Sequence, residues 1–240
     1  MSDGRGMKLS VIVPVFNEEK TVTAILDLLV SVNVGADLEI IIVDDGSTDA
    51  TAERIRAWAG GRQNVVTAFH GANRGKGAAV RTGIGLVTGD VAVVQDADLE
   101  YDPADFKAML EPIRAGRADV VYGSRVLSKA PYAHLRYYLG GRLLSAVTNL
   151  LFRTQITDEP TCYKMFRAGV LRSMDLVSDG FEFCPEITAR TALAGIPIHE
   201  VPIRYHPRSI GEGKKIRWHD GLKALWVLVR YRFFGPPGPR

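Results

Sequence analysis

Three times in its first hundred residues, this chain runs a short, apolar, β-branched stretch straight into a cluster of acidic or amide side chains. The runs are Ser10-Val-Ile-Val-Pro-Val-Phe-Asn-Glu-Glu19, Glu39-Ile-Ile-Ile-Val-Asp-Asp-Gly-Ser-Thr-Asp49 and Val91-Ala-Val-Val-Gln-Asp-Ala-Asp-Leu-Glu100. Val and Ile without polar alternation suit strands buried on both faces, as in a parallel sheet covered by helices. Ligands of open α/β sheets bind outside the carboxyl ends of the strands, so Asn17, Glu18, Asp44, Asp45, Asp96 and Asp98 should gather along one edge. In the third run, alternate residues of extended chain project the same way, which would line up Asp96, Asp98 and Glu100. Such an oxygen cluster suits Mg2+ or Mn2+, and the metal in turn suits a diphosphate. Alone the motif is weak, because Asp-x-Asp also caps helices and fills turns.

The remaining pattern extends the alternation. Strands are expected over residues 8–15, 39–43, 64–69, 91–94 and 118–123. Helices are expected from 19 to about 34, from a Ser47 or Thr48 cap to about 59, from the 71–77 glycine loop to about 87, and over 104–114 with Asp102 as cap and Pro103 in the first turn. Beyond residue 125 the regularity lapses. A loop at 128–133, an amphipathic helix at 135–152, a short strand at 162–166, a helical turn at 168–174, a helix from Pro185 to Gly195 and a last strand at 196–205 follow. The expected fold class is α/β, a Rossmann-like, mostly parallel central sheet with helices on both faces. No linker divides the chain. The reading is a tail at 1–7, one domain at 8–220 and an amphipathic helix and tail at 221–240. Within the domain, residues 8–125 form a nucleotide-binding half and 126–220 an acceptor half with a basic lid at 206–218.

Bulk properties narrow the function classes. A chain of 240 residues buries a substantial core without disulfides, and Cys162 and Cys184 lack metal-ligand spacing, so both read as thiols of a reducing compartment. Residues 1–8 have no apolar core of a signal peptide, and no run is long enough to span a bilayer. The expected location is cytoplasmic, at most peripheral on the cytoplasmic membrane face. Formal net charge is +3, yet from Arg204 onward nine Lys or Arg face two Asp or Glu. That tail is compatible with an anionic membrane surface or a phosphorylated substrate. Nucleic acid is disfavoured, because no recognised motif occurs and the acidic edge would repel a phosphate backbone.

Taken together, Val13-Pro-Val-Phe-Asn-Glu18, Val43-Asp-Asp-Gly-Ser-Thr-Asp49, Asn73-Arg-Gly-Lys-Gly77, Asp96-Ala-Asp-Leu-Glu100, Gly123-Ser-Arg125, Thr157-Asp158 and Gly180-Phe-Glu-Phe183 resemble the family-two glycosyltransferases of the GT-A fold. More closely, the chain resembles the dolichol-phosphate or polyprenyl-phosphate mannose and glucose synthases, from about residue 9 to 220. The resemblance implies inverting transfer of a hexose from a nucleotide sugar, GDP-mannose first and UDP-glucose second, to a polyprenyl or dolichyl phosphate. The alternatives are a soluble glycosyltransferase acting on a sugar or small-molecule hydroxyl, and a nucleotide-sugar-binding protein without turnover.

Roles follow residue by residue from the resemblance. Glu18 and Asp44 would hold ribose or base, Pro14 would shape the pocket floor and Asp45 would support its turn. Lys76 would meet a phosphate at a helix start. Asp98 would be the principal metal ligand, with Glu100 beside it and Asp96 near sugar and metal; the family often has Gln where this chain has Glu100. Arg125 and Arg136 would reach the acceptor phosphate or donor diphosphate, and Lys214, Lys215 and Arg217 would offset phosphate charge from the lid. The family often has Gly where Cys162 stands here, so no ligand role follows for that residue. The C-terminal helix, with Trp226, Phe233 and Phe234 beside Lys223, Arg230 and Arg232, would lie on a membrane surface, pack on the sheet or contact a second copy in a homodimer.

Overall fold

The structure, a computed structural model, describes residues 6–131, 135–208 and 218–235. Its first half is the expected alternation: β1 (Lys8–Val15), α1 (Val22–Ser31), β2 (Asp37–Asp44), α2 (Thr51–Ala59), β3 (Val65–Phe69), α3 (Lys76–Leu86) and β4 (Val91–Val94). A 3-10 turn (Pro103–Asp105), α4 (Phe106–Arg114) and β5 (Val120–Ser124) follow, then α5 (Leu135–Phe152), β6 (Lys164–Arg167), α6 (Ala168–Arg172), α7 (Phe183–Leu193), β7 (Ile198–Pro202) and α8 (Trp218–Phe234).

The seven strands form one sheet in the order β3-β2-β1-β4-β6-β5-β7. All are parallel except β6, which runs antiparallel to both β4 and β5. This is the GT-A, Rossmann-like fold expected from the sequence. The chain builds outward from β1 to β3, then returns to place β4 on the other side of β1. The carboxyl ends of β1 and β4 therefore flank the topological switch point, where connecting loops diverge and leave a crevice. Glycine sets one contact in this layer. A Cβ on Gly83 would collide with Cγ2 of Ile12, so α3 lies closer to β1 than an alanine there would allow.

Leu9, Val11, Ile12, Val13, Ile40, Ile41 and Ile42 are fully buried under helices on both faces, as unalternating Val and Ile runs require. A second cluster joins Leu144 of α5, Ala189 of α7, and Ala224, Leu228 and Tyr231 of α8. The C-terminal helix is thus docked on the domain through one face, while Leu222, Trp226, Phe233 and Phe234 remain exposed.

Several boundaries differ from the sequence reading. Asp102 caps its turn as expected, accepting from the Ala104 N–H at 2.9 Å. Ser47 and Thr48 do not cap α2, which begins later, after Asp49 has accepted the Thr51 N–H at 3.0 Å. Ser47 Oγ instead accepts the Asn17 N–H at 2.9 Å, and the Thr48 N–H donates to Asn17 Oδ1 at 2.8 Å. These contacts tie the ends of β1 and β2 together. The strand expected over 196–205 is shorter, and Tyr205 makes only an isolated antiparallel bridge with Tyr101.

Candidate active site

A cavity forms where the carboxyl ends of β2 and β3 meet the loop before α3. It encloses about 430 Å³ and is lined by Phe16, Asp44, Ser47, Thr48, Arg56 and Phe69, with 70–73 closing one side. The Arg56 guanidinium lies 4.2 Å from the centre of the Phe69 ring, giving one flat wall. Asp44 Oδ2 accepts the Ser47 N–H at 3.2 Å, while its buried Oδ1 has no hydrogen-bond partner. A buried carboxylate oxygen without a donor is costly unless a ligand supplies one. Asp44 is among the residues lining the cavity. Pro14 does not line that cavity; it lies in β1, in register with Val43.

Asp45 builds the adjoining loop. Its carboxylate accepts from Gly75 N at 2.7 Å, Arg74 N at 3.0 Å and Asn73 Nδ2 at 3.0 Å, and His70 Nδ1 stands 2.6 Å away. A carboxylate only accepts, so that His70 nitrogen carries a proton. Gly75 adopts φ +97 and passes against the Asp179 carbonyl, where a side chain would not fit. The loop delivers Lys76 to the first turn of α3, where its ammonium contacts Asp96 at 2.5 Å and Cys162 Sγ at 3.4 Å. Burial works against the charge on Lys76, but Asp96 beside it holds its pKa well above the ordinary lysine range.

The acidic segment after β4 does not stay extended. The strand stops at Val94, residues 97–100 turn, and Leu99 takes a left-handed φ of 62. Pleat alternation therefore does not align the three carboxylates, and no three His, Cys, Asp or Glu side chains among the described residues converge as a metal-ion site. Asp96 pairs with Lys76. Asp98 Oδ1 accepts the Glu100 N–H at 3.1 Å. Glu100 points the other way, accepting from Tyr205 Oη at 2.8 Å and the Arg208 N–H at 2.7 Å. Both Glu100 oxygens thereby anchor the segment after β7.

Arg208 closes the switch point. Its Nη2 lies 3.0 Å from Asp98 Oδ2 and 3.2 Å from Glu18 Oε1, and its Nη1 lies 3.3 Å from Glu18 Oε2. Glu18 thus faces the β4 turn through this guanidinium, and it is not among the residues lining the Asp44 cavity. Burial, then the nearby Asp96 and Glu100, push the Asp98 pKa up to about 6, although Arg208 pulls the other way.

The expected arginines separate. Arg125, half of a buried pair, gives Nε and Nη2 to Asp158 at 2.8 and 2.7 Å, and its backbone N–H to the same carboxylate at 2.9 Å. Burial would raise the Asp158 pKa, but Arg125 prevails and holds it below the ordinary range. The guanidinium also lies 4.9 Å from the Tyr205 ring centre. Arg125 thereby anchors the end of β5 to Asp158. Arg136 stands exposed on α5, 5.0 Å from the centre of its neighbour Tyr137, and no ion pair among the described residues joins it to the acidic turn. Lys214, Lys215 and Arg217 lie outside the described residues.

Sequence reasoning missed Arg208, Phe69 and Arg56. Arg208 had a signal: carboxylates gathered at one sheet edge require a counter-cation, and an arginine stands a few residues beyond the last strand.

The sequence model described as glycosyl transferase family 2 matches residues 10–174. The chain belongs to that family. Among curated relatives of this glycosyltransferase, the undecaprenyl-phosphate mannosyltransferase of Micrococcus luteus is 31% identical over 94% of this chain and 99% of its own length. The low-salt glycan biosynthesis hexosyltransferase Agl6 of Haloferax volcanii is 29% identical over 96% of this chain, which spans 54% of that relative. In fold, the chain matches glucosyl-3-phosphoglycerate synthase of Mycobacterium tuberculosis bound to phosphoglyceric acid, with TM-score 0.71, 20% identity and coverage of 97% of this chain and 82% of the other. A second structure of that enzyme, with Mn2+ and UDP-glucose, matches with TM-score 0.70, 19% identity and coverage of 97% and 81%. Mn2+ or Mg2+ accompanies UDP in further structures of it, the ions expected here.

These findings correct the acceptor. Two relatives, the undecaprenyl-phosphate mannosyltransferase and a dodecaprenyl-phosphate galacturonate synthase of Rhizobium johnstonii, are named for a polyprenyl phosphate, so family membership alone defines the reaction class and not the acceptor. Solved structures that superpose on nearly the whole chain include those of glucosyl-3-phosphoglycerate synthase, bound to phosphoglyceric acid, a small molecule, and to UDP-glucose. The reading of GDP-mannose with a polyprenyl or dolichyl phosphate acceptor does not stand against them. No helix among the described residues is long and apolar enough to cross a membrane, and neither peripheral membrane contact nor a homodimer finds support.

Proposed function

We propose that this chain transfers a hexose from a nucleoside-diphosphate sugar, UDP-glucose being the first donor to test, to a hydroxyl of a small polar acceptor, with inversion at the anomeric carbon. One observation carries the reading: the Asp44 cavity and the acidic turn are joined through the end of β1. Asn17 holds the Ser47–Thr48 wall of the cavity, and Glu18 next to it meets Asp98 through Arg208. A nucleoside in the cavity thus directs its diphosphate toward the β4 turn. Asp44, which lines the cavity, is a carboxylate acceptor of the kind a ribose hydroxyl or base N–H requires.

The residues fit the divalent ion used in this fold. Asp98 and Asp96 offer hard oxygens, their mutual repulsion marks a place that favours positive charge, and a guanidinium already stands there in a cation's role. Bound by Asp98 with Asp96 beside it, Mg2+ or Mn2+ supplies charge neutralisation for the departing nucleoside diphosphate. Lys76, kept cationic by Asp96 in spite of its burial, adds a second positive group at the start of α3. The acceptor hydroxyl oxygen attacks the anomeric carbon from the face opposite the diphosphate. The new C–O bond forms as the bond to the diphosphate oxygen breaks, and the nucleoside diphosphate leaves with the electron pair. The hydroxyl proton is released to solvent, and the configuration inverts. Asp158 cannot take the acceptor's proton, because Arg125 engages both its oxygens and keeps it ionised at low basicity. A small phosphorylated acceptor is supported by the name of the solved relative, which joins glucose to phosphoglycerate.

The test is a product screen by mass spectrometry. Purified protein with Mn2+ or Mg2+ is incubated with UDP-glucose or GDP-mannose, against small hydroxylated phosphates and carboxylates including 3-phosphoglycerate, with undecaprenyl phosphate in detergent as the contrasting arm. A hexosylated small acceptor supports the proposal. Hexosylation confined to the lipid arm overturns it.

A further inference from the structure

The residue that completes the switch point is Arg208, and its surroundings say more than that it neutralises charge. Its backbone is fixed independently of its side chain: Glu100 Oε1 accepts its N–H, the Glu100 carbonyl accepts the His206 N–H at 2.8 Å, and Tyr205 Oη holds the other Glu100 oxygen. The guanidinium can therefore leave by rotation about its own side-chain bonds while the segment stays anchored. It is docked without full satisfaction, since Nε is buried with no hydrogen-bond partner. An arginine held by two carboxylates but carrying one wasted donor is exchangeable.

Its position also bears on the metal. Asp98 is the carboxylate best placed to hold a divalent ion, and Arg208 Nη2 occupies its Oδ2 at 3.0 Å. We propose that Arg208 is the resident counter-cation of this site and competes with the divalent ion for Asp98, so that the metal enters together with the nucleoside diphosphate rather than ahead of it. This rests on the reading of Asp98 as a metal ligand. The reason for the order is pairing. A divalent ion at Asp98 turns the guanidinium out and leaves it only Glu18. A diphosphate offers oxygens that match the fork of donors withdrawn from Asp98. Free metal brings no such partner and must displace the arginine unaided. Arg208 is thereby a positioning residue that decides the state in which the donor is accepted.

The experiment is a Mn2+ titration followed by electron paramagnetic resonance, with and without saturating UDP, on wild type, Arg208→Gln, Arg208→Lys and the double variant Arg208→Gln with Asp98→Asn. Without UDP, Arg208→Gln is expected to bind Mn2+ at least tenfold more tightly than wild type. Arg208→Lys, whose point charge cannot span Glu18 and Asp98 together, should fall between them. With UDP present the gap should close to threefold or less. Equal or weaker Mn2+ binding by Arg208→Gln without UDP overturns the proposal, and should that variant fail to fold, Arg208→Lys binding no tighter than wild type does the same. The double variant separates the underlying reading: if it binds Mn2+ as tightly as Arg208→Gln alone, Asp98 is not the ligand.

Discussion

Replacing Asp45 by Ala separates a loop-building carboxylate from one that merely lies near the nucleotide. Asp45 gathers four donors from 70–75 within 3.0 Å, and all but His70 belong to the loop that carries Lys76. Hydrogen bonds to a charged group contribute about 1.5–3 kcal/mol each when fully desolvated. Asn73 and Arg74 are exposed, so water replaces much of what they lose, whereas His70 and the Gly75 N–H are partly buried and recover less. The expected destabilisation is therefore about 2–4 kcal/mol, well short of four full bonds. Asp45→Asn keeps the shape but turns one acceptor into a donor facing other donors, and should lose roughly half as much. Because 71–73 line the cavity and Lys76 follows directly, UDP affinity should fall about tenfold in the same variant, the equivalent of about 1.4 kcal/mol. Urea unfolding with linear extrapolation reads the first quantity and calorimetric titration of UDP the second. An Asp45→Ala protein within about 1 kcal/mol of wild type, with UDP affinity unchanged, would refute the reasoning.

Glu39 provides a pH test. Burial alone would raise its pKa, but hydrogen bonds from Lys8, Ser10 and Thr88 bring it down from 4.5 to about 2. A carboxyl more acidic in the folded state contributes stability that is complete above about pH 4.5 and lost as pH falls toward 2, at most about 3 kcal/mol. Glu39→Gln should flatten the fall in urea midpoint over that window, and identical slopes for both proteins would count against the assignment. Asp98→Ala should lower kcat/KM by roughly a hundredfold or more while leaving the melting temperature near wild type, as expected for a ligand of the ion that stabilises the leaving group; near-normal turnover at saturating donor and metal would remove Asp98 from the site. Arg125→Ala should destabilise the fold by about 3–5 kcal/mol in chemical denaturation, because Asp158 is left buried without its partner. Arg136→Ala, on an exposed helical position, should stay within about 0.5 kcal/mol, and a large effect there would mean that α5 is held by contacts beyond those described.

How much of this was readable in advance differs by residue. The strand positions were legible because Ser10 to Val15, Glu39 to Val43 and Val91 to Val94 state burial on two faces in their composition. Asp44 and Asp45 were legible in place but less so in division of labour. Neighbouring residues on a strand end face opposite ways, and which one meets the cavity and which one holds the loop depends on where residues 70–75 return. The acidic turn misled because alternation assumes extended chain, while Leu99 adopts a left-handed conformation that breaks the pleat, and Glu100 accepts from Tyr205.

By itself, the sequence determined that this chain forms a mostly parallel sheet with its polar groups at the carboxyl ends. The causes are local: apolar runs must be buried, glycine and polar turns must follow them, and helices must cover both faces. Only the tertiary structure decided which charges meet. Arg208 lies 190 residues from Glu18, and Arg125 lies 33 residues from Asp158. No periodicity encodes such pairs, because each forms only after separate strands have been placed side by side. At that point, burial makes an unmatched charge too costly to leave alone, and the partner that the fold happens to bring within reach becomes the one that matters.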